Sequence, residues 1–560
     1  MATKLNPPAS HQFVPKLVTI LRRGYGWDDF RHDAIAGVTV AVVALPLAMA
    51  LAIASGTSPQ KGVQTAVIAG FLISALGGSR VQVGGPTAAF VPVVFVVIER
   101  FGYGGLILCT LLAGLMLIAG GLLRLGTLMK YMPQPVITGF TAGIAVSIFL
   151  SQVKDFLGLR MGAAPGNSLS RISAYAQNLG HLTPAAVFVA VGSLTLIVVL
   201  RKLRPGWPGF LIAVTGATLA CAILGLPIAT IGSQFGGIPA ELPHFAIPHI
   251  PIERTQELLP SAFTIAFLAA VESLLSAVVA DGMIGGRHRS NCELIAQGIA
   301  NIASALFGGL PATGALARTA TNVRAGARSP VSGMLHAVFL LIFMLLLAPG
   351  MKYIPLASLA AVLVLVAWNM AEIESFKYLL QSPLGDRTVL LSTFVLTVTF
   401  DLTVAIEVGV VLAAFLFMHR MSEVVALEAD TPLVDEEFDD SAASAGNQRD
   451  RLPADVEAYQ VSGPLFFAVA NRLDEVLNQF AKSPRAFILR MRLVPMIDAS
   501  GVAALRQLIR RCSQQNSRVI LSGLQPQPLS ILAQMQVRPD GVHLQFAKDF
   551  QDAIRLSTAV

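Results

Sequence analysis

The sequence predicts a polytopic α-helical membrane protein of about fourteen spans, followed by a small α/β domain at its C-terminal end. Of its 560 residues, 54% are hydrophobic and 13% are charged. In an ordinary soluble protein about a quarter of the residues are charged. Apolar runs continue to about Arg420, and beyond it short strands alternate with helices, which favours a small, mostly parallel sheet.

Charge and cysteine placement exclude several classes of protein. The net charge is +7, but the basic residues lie between apolar runs, a pattern that suits membrane orientation and not nucleic-acid binding. The four cysteines show no metal-ligand spacing, so we expect no disulfide framework, metal site or cofactor. Residues 1–33 are polar and lack the pattern of a cleavable signal peptide, which predicts a cytoplasmic N-terminal segment.

The transmembrane region is predicted to cover residues 34–420, and the distribution of basic residues supports the number of spans. With the N-terminus inside, every even-numbered junction should be cytoplasmic and rich in Lys and Arg. Those junctions contain Arg80, Arg124, Lys130, Arg201, Lys202, Arg204, Arg287, Arg289, Arg324, Arg328, Lys377, Arg387 and Arg420. The predicted spans are 34–54, 62–78, 86–98, 104–123, 134–151, 184–203, 208–225, 261–281, 292–308, 313–323, 331–349, 355–370, 388–400 and 402–420.

Fourteen spans divide into seven plus seven, so two homologous halves would insert with opposite orientations. The third and tenth spans then correspond, and these two are the short spans broken by glycine and proline. Extended residues at Val81–Val83, and a shorter stretch ahead of Thr313, should lead into two helix starts that face each other near the midplane. Interrupted helices at corresponding positions indicate a transport site.

A helix start leaves unpaired backbone N–H groups and a partial positive charge, which attract anions. After Pro86, small residues would let an anion approach these donors, although the same residues could simply begin a packed helix. Arg318 lies one turn into the second helix, where a bare charge within the membrane needs a partner. An anion would serve, but so would snorkelling or a carboxylate. The predicted substrate-binding residues are Thr87, Ala88, Ala89, Phe90, Thr313, Gly314, Ala315, Leu316, Ala317 and Arg318.

Glu272 is the most informative acidic residue, because it lies within the apolar run 266–280. An ionised carboxylate there is costly unless it is paired, binds a cation or is protonated. One interpretation is proton coupling, in which Glu272 takes up a proton when the anion binds. The alternatives are a structural salt bridge to Arg318, or a sodium site that also uses Ser273, Ser276 and Thr313.

The C-terminal part divides into an acidic linker over residues 421–452 and an α/β domain over residues 453–560. It has neither a Walker A motif nor a dinucleotide-binding glycine motif. The predicted strands are Val456–Val461, Phe487–Met491, Arg518–Leu521 and His543–Phe546, and the helices cover Ala470–Phe480, Ser500 to about Cys512, a short segment after Pro526 and the C-terminal end.

Several stretches together resemble the SulP anion transporters, or sulfate permease family, and within it the bacterial DauA-type transporters of C4-dicarboxylates. They are DAIAGVTVAVVALPLAMALAIASG from Asp33, GGPTAAF from Gly84, VESLLSAVVADGM from Val271 and ARTATNVRAGARSP from Ala317. The tail resembles a STAS domain through its Gly-Pro-Leu-Phe-Phe strand end and Asp498-Ala499-Ser500-Gly501 helix start. The resemblance implies a UraA-like fold of seven plus seven inverted repeats with core and gate domains, a homodimer, and elevator-type alternating access.

The resemblance also implies roles for individual residues. An arginine at position 318 would lie behind the substrate, and an acid at position 272 would couple protons or sodium. Ala44, Leu45 and Pro46 would break the first span at mid-depth and complete the pocket. Ser500 matches a serine that is phosphorylated in anti-sigma-factor-antagonist relatives of the STAS domain, but the favoured interpretation is an ordinary N-cap.

The function that we predict is secondary active transport of a small anion, with proton-coupled uptake of C4-dicarboxylates such as fumarate or succinate as the leading hypothesis. Sulfate, bicarbonate or chloride would suit the same fold, and a membrane-embedded anion sensor signalling through the tail is a hypothesis of a different class. An enzyme is not expected, since no nucleophile, metal cluster or phosphate loop accompanies Glu272 and Arg318. The expected partners are the lipid bilayer of a bacterial inner membrane, a second copy of the chain and an unidentified cytoplasmic protein, with no nucleic acid.

Overall fold

The computed structural model forms two compact units, Met1–Ala413 and Ala414–Val560. It describes residues 12–127, 132–162, 165, 168–204, 207–237, 241–245, 252–400, 402–424, 426–428, 452–453, 455–466 and 484–558. Most of the predicted linker and the predicted helix Ala470–Phe480 lie outside these residues.

The first unit is almost entirely helical, and its helices follow the apolar runs of the sequence. They are α1 (Lys16–Arg23), α2 (Trp27–Ala54), α3 (Pro59–Leu76), α4 (Val91–Leu122), α5 (Gln134–Leu157), α6 (Ser168–Asn178), α7 (Pro184–Leu203), α8 (Gly209–Leu224), α9 (Ile231–Phe235), α10 (Thr255–Ile284), α11 (Ser290–Leu306), α12 (Leu316–Arg324), α13 (Val331–Met351), α14 (Leu356–Met370), α15 (Ile373–Leu379), α16 (Leu384–Thr399) and α17 (Leu402–Val424).

The fourteen predicted spans are confirmed as helical segments within the described residues. They are α2, α3, the two halves of α4, α5, α7, α8, α10 to α14, α16 and α17. The third and fourth spans are two helices within α4 that meet at a kink, where Gly102 takes a non-helical φ of 69° that suits glycine. By length and apolar composition alone, seven of the described helices could each cross a bilayer. Shorter helices such as the nine-residue α12 depend on protein neighbours to satisfy their ends.

The spans of the first unit pack as two bundles, as expected for core and gate domains. In the first bundle α11 packs against α3 and α4, α13 against α2 and α3, and α10 against α4 and α12. In the second, α5 packs against α14 and α16, and α7 against α8 and α14. Small residues allow the close crossings: a Cβ on Gly298 would lie 2.5 Å from the Gly114 carbonyl oxygen, so α4 and α11 touch through their backbones.

The N-terminal region is more ordered than the sequence indicated. We predicted a first span beginning at residue 34, but α2 begins at Trp27 and is preceded by α1. The buried Asp33 holds the loop between α12 and α13 beside it, since its Oδ1 accepts from the backbone N–H groups of Arg328 at 2.7 Å and Ser329 at 3.0 Å. The start of α2 and the junction after α12 therefore lie at the same end of the unit, as the distribution of basic residues predicts.

The first unit also contains two short strands, β1 (Gly84–Gly85) and β2 (Thr313–Gly314). The second unit contains the strands β3 (Ala426–Glu428), β4 (Val456–Ser462), β5 (Ala486–Leu493), β6 (Arg518–Ser522) and β7 (Leu544–Ala547), and the helices α18 (Ala499–Gln514), α19 (Pro526–Gln534) and α20 (Phe550–Thr558). The five strands form one sheet in the order β3-β4-β5-β6-β7, in which β3 is antiparallel and the others are parallel. The last residues of α17 and the whole of β3 lie within the predicted linker, so its first residues belong to regular structure.

Candidate anion-binding site

Two short strands join the broken spans, and they form the frame of the candidate site. β1 (Gly84–Gly85) pairs antiparallel with β2 (Thr313–Gly314), with Gly84 opposite Gly314 and Gly85 opposite Thr313. The backbone N–H of Ala315 extends the ladder by donating to the Val83 carbonyl at 2.9 Å. The sequence predicted such a strand pair, but at Val81–Val83; the structure moves the first strand to the glycines, where the absence of side chains permits close approach.

The first helix start is capped by its own threonine. Thr87 is extended, its Oγ1 accepts from the backbone N–H of Ala89 at 3.1 Å, and a 3₁₀ turn over Ala88–Phe90 leads into α4. Ala88, Ala89 and Phe90 are buried, whereas Thr87 is half-buried. Of these predicted residues, Thr87 therefore provides the polar group nearest to open space.

The second helix start is the more open of the two. No described side chain caps α12 at Ala315, and Leu316 and Ala317 are exposed. The first N–H groups of a helix have no partner within the helix. The backbone donors at Leu316 and Ala317 are therefore placed to receive an anion, and the partial positive charge of the helix end favours one.

Arg318 lies behind this frame and is 2% exposed. Its two terminal nitrogens donate to the carbonyl oxygens of Gly84 at 3.4 Å and Pro86 at 3.2 Å, so the side chain that begins on α12 holds the opposite strand. Its Nε is buried and has no hydrogen-bond partner among the described residues. Within the same residues no ion pair is recorded for Arg318, so its positive charge adds to that of the two helix starts.

Glu272 is half-buried in α10, and its Oε2 accepts the hydroxyl hydrogen of Thr87 at 2.7 Å. The salt bridge between Glu272 and Arg318, one of the alternatives left open by the sequence, is absent from the described residues. The carboxylate instead contacts the cap of the first helix start. An acid and the donors of an anion site are thus linked by one hydroxyl group.

Four other predicted residues have different surroundings from those expected. Thr313 is fully buried and donates to the Ala269 carbonyl at 2.8 Å, so its hydroxyl serves the strand and not an open pocket. The expected break at Ala44, Leu45 and Pro46 is wrong, because α2 runs without interruption through Pro46. Proline removes one backbone donor, and the surrounding helices compensate for such a loss within a membrane protein. Ala44 and Leu45 belong to the same apolar core as Ala88 to Phe90.

A fully buried acid in α11, Glu293, was missed by the sequence analysis. Its Oε2 accepts from the backbone N–H groups of Gly78 at 2.8 Å and Ser79 at 3.2 Å. Its Oε1 accepts from the Ser273 hydroxyl at 3.1 Å and the Gln297 amide at 2.9 Å. Ser273 in turn accepts from the Gln82 amide at 3.1 Å, next to the strand pair. An acidic residue within an apolar run was the available signal, as it was for Glu272.

Ser500 lies in the second unit, and the structure shows that it is not the N-cap that the sequence indicated. The N-cap of α18 is Asp498, whose carboxylate accepts from the backbone N–H of Gly501 at 2.8 Å. Ser500 is therefore not the N-cap; it is an exposed residue in the first turn of the helix. Its phosphorylation stays a prediction.

Comparison with known proteins identifies both parts of the chain. Residues 30–393 match the sulfate permease family, and residues 452–553 match the STAS domain. A putative sulfate transporter of Bacillus subtilis, YvdB, is 43% identical over 91% of this chain and 94% of its own length. The bicarbonate transporter BicA of Synechocystis is 30% identical, with 91% of each chain covered.

Solved structures show the same fold. The murine Slc26a9 anion transporter superposes with a TM-score of 0.84 at 18% identity, covering 100% of this chain and 96% of the other. The transmembrane domain of a cyanobacterial BicA gives a TM-score of 0.61 at 29% identity, covering 70% of this chain and 98% of the other. These relatives are transporters and not enzymes, as the sequence predicted. The chain belongs to the sulfate permease family and is an anion transporter with a C-terminal STAS domain.

Proposed function

We propose that this chain is a proton-coupled secondary active transporter whose anion binds between the starts of the two broken helices. The observation that carries this proposal is the hydrogen bond from Thr87 to Glu272, 2.7 Å long, at the edge of a site that Arg318 makes positive. A carboxylate in that place competes with an arriving anion both for the Thr87 hydroxyl and for the positive field.

The Thr87 hydroxyl gives this competition a chemical form. A hydroxyl has one hydrogen to donate and can also accept. With Glu272 ionised, that hydrogen is directed to its carboxylate. With Glu272 protonated, the carboxyl group becomes a donor, and Thr87 can direct its hydrogen to the anion. Protonation of Glu272 therefore removes a negative charge that repels the anion, and it also frees the Thr87 hydroxyl to donate to the anion. Proton binding and anion binding consequently favour each other.

The cargo has two candidates within this site. The DauA-type resemblance supports a C4-dicarboxylate such as fumarate or succinate. The names of the relatives support an inorganic or one-carbon anion, since YvdB is called a putative sulfate transporter and BicA a bicarbonate transporter. Backbone N–H groups and one arginine suit any of these anions, so we keep both candidates and let the transport assay decide between them.

Transport by this site would follow elevator-type alternating access, in which the bundle of α2 to α4 and α10 to α13 carries the anion past the other bundle. We further propose that the protein is a homodimer in a bacterial inner membrane, with both termini in the cytoplasm. Residues 453–560 would meet a cytoplasmic partner, and phosphate on Ser500 would be compatible with its place in the first turn of α18.

The test is uptake by purified protein in liposomes with an acidic exterior and a neutral lumen. We expect accumulation of labelled fumarate that collapses when a protonophore removes the gradient. Sulfate and bicarbonate are added as unlabelled competitors, and each is also tested as the labelled substrate. Accumulation of sulfate or bicarbonate without fumarate would replace the dicarboxylate cargo. Uptake of every anion without any response to the gradient would contradict proton coupling.

A further inference from the structure

A cleft of about 700 Å³ opens at the end of the transport unit where the N-terminal helix α1 lies. Ligand sites occupy roughly 300–1,000 Å³, so the cleft has the capacity of one. Its walls come from α1, the loop after α3, the loop between α10 and α11, and the loop between α12 and α13. Thr87, Glu272 and Arg318 are not among its lining residues, which separates it from the transport site.

The cleft is lined by an excess of cations. Its two acidic residues are both engaged: Asp29 pairs with Arg328 at 3.1 Å, and Asp281 with His288 at 2.7 Å. Across the described part of the chain, no ion pair is recorded for four further cations of the lining. They are Lys16, Arg23, Arg80 and Arg287.

Backbone contacts hold this arrangement in place. The Lys16 N–H donates to the Gly77 carbonyl at 3.0 Å, which ties α1 to the end of α3. Arg289 donates from its backbone to Gly78 at 3.0 Å and from its guanidinium group to Val14 and to Thr19. The two backbone contacts fix α1 and the loop between α10 and α11 at the walls of the cleft.

The cations are close enough to affect one another. Burial lowers the pKa of Lys16, and repulsion from Arg289, and to a smaller extent from Arg23 and Arg80, lowers it further, while Asp281 acts in the opposite sense. The positive-inside rule explains why these junctions carry basic residues. It does not require residues from four separate segments to converge on one concave surface.

We propose that this cleft binds a phosphate group, carried either by a soluble phosphate or by the headgroup of an anionic lipid. Guanidinium groups recognise phosphate through paired, charge-assisted N–H donors, and several arginines from different segments surround the space. The same geometry suits a lipid headgroup, because α1 carries basic residues beside the exposed Leu21, and Trp27 is 78% exposed at the start of the first span.

Binding to the full-length protein tests this directly and involves no transport step. The soluble arm measures equilibrium binding of labelled inorganic phosphate to purified protein. The lipid arm measures binding of fluorescent phosphatidylglycerol in nanodiscs of otherwise neutral phosphatidylcholine. We expect one of the two probes to bind saturably, and the probe that binds identifies the source. Saturable binding of neither probe overturns the proposal.

Matched variants locate the site. Arg23→Gln and Arg287→Gln should each weaken binding by about tenfold, because each removes one charge-assisted contact. Arg22→Gln, on the same helix, and Arg324→Gln, at another exposed junction, remove the same charge without touching the cleft, and should change binding by less than about twofold. Equal losses in all four variants would show a general surface effect and overturn the proposal. Loss in Arg318→Ala alone would assign the phosphate to the transport site and overturn it as well.

Discussion

In the candidate site, Thr87 lies between the two charged side chains, Glu272 and Arg318. Its hydroxyl accepts from Ala89, which caps the first helix start, and donates to Glu272. Arg318 approaches the same frame from the opposite helix and donates to backbone carbonyls on either side of Gly85. Neither charged side chain neutralises the other. In the function proposed above, Arg318 would supply the positive field for the anion and Glu272 the separate acid for the proton.

Glu272→Gln should abolish uptake driven by a proton gradient while preserving anion exchange. Glutamine keeps the shape and the acceptor oxygen facing Thr87 but cannot gain or lose a proton at neutral pH. The measurement is gradient-driven accumulation compared with exchange in the same liposomes. Glu257→Gln is the matched control on α10, since Glu257 is exposed and paired with Arg254. A variant that keeps its response to the gradient would remove Glu272 from the coupling step.

Arg318→Ala should weaken anion binding by roughly tenfold to a hundredfold, the range expected for a charged hydrogen-bonding group. Arg318→Lys should recover part of the affinity, because it restores the charge without the two-pronged contact to Gly84 and Pro86. Binding is measured on purified protein by titration with the transported anion. Arg324→Ala, at the exposed end of α12, is the control. Equal affinity in wild type and Arg318→Ala would exclude a role in binding.

Sequence reasoning found Glu272 and Arg318 because a charged residue in an apolar run costs free energy to bury in the membrane and therefore indicates a function. It could not find the contact between Thr87 and Glu272, since the two residues are 185 positions apart and nothing local connects them. Glu293 obeys the same rule but lies near the start of its helix, where an acid resembles an ordinary first-turn residue. Its contacts with Gly78 and Ser79 depend on the tertiary fold.

At the level of elements, the strand pair depends on glycine for its packing. A Cβ on Gly314 would lie 1.5 Å from the Gln82 side-chain nitrogen, which itself donates to Ser273. Any side chain at position 314 must therefore displace Gln82 and disturb the polar contacts that continue to Glu293. The identity of one small residue in β2 fixes how closely α10 and the two strands approach.

Gly314→Ala should lower the stability of the folded protein by about 1–3 kcal/mol, the usual cost of overpacking, and reduce anion binding as well. The readouts are the thermal unfolding midpoint in detergent and the affinity for the transported anion. Gly216→Ala in α8 is the control, because a Cβ there would meet no atom within 4 Å. That variant should be neutral or slightly stabilised. An unchanged midpoint in Gly314→Ala would contradict the close packing described for β2.

The elements were largely predictable because apolar runs and basic junctions mark spans independently of tertiary contacts. Two local signals of a helix break, at Pro46 and at Gly102, had different outcomes. Pro46 looks like a break in sequence, yet α2 continues through it, as membrane helices can where other groups satisfy the freed backbone. Between the third and fourth predicted spans the chain does leave helical geometry, at Gly102, so the predicted junction is confirmed there. A glycine with positive φ therefore marked a real break, whereas the proline did not.

On the scale of the whole molecule, the candidate transport site lies entirely in the unit Met1–Ala413, whereas the STAS domain belongs to the unit Ala414–Val560. Every described contact of Thr87, Glu272 and Arg318 is made within the first of these units. The candidate site and the STAS domain therefore belong to separate units. The sequence predicted this division from the change in hydropathy after Arg420.

Truncation after Val424 should leave anion binding unchanged within about twofold, because α17 stays whole and no binding residue is removed. The truncated protein is first shown to be monodisperse, and binding of the transported anion is then measured as for the full chain. Turnover is measured separately, since the STAS domain could alter it without touching the site. Lost binding in a monodisperse truncation would place part of the site in the second unit.

The pairing of β1 with β2 joins the two helix starts into one rigid unit. Gly84 and Thr313 belong to opposite repeats, yet their strands are hydrogen-bonded and Arg318 clamps the pair. If the bundle of α2 to α4 and α10 to α13 moves as a rigid body, the distance between the two positive helix ends stays constant throughout the transport cycle. The anion would then keep one coordination shell on both faces of the membrane, so its intrinsic affinity should be the same from either side.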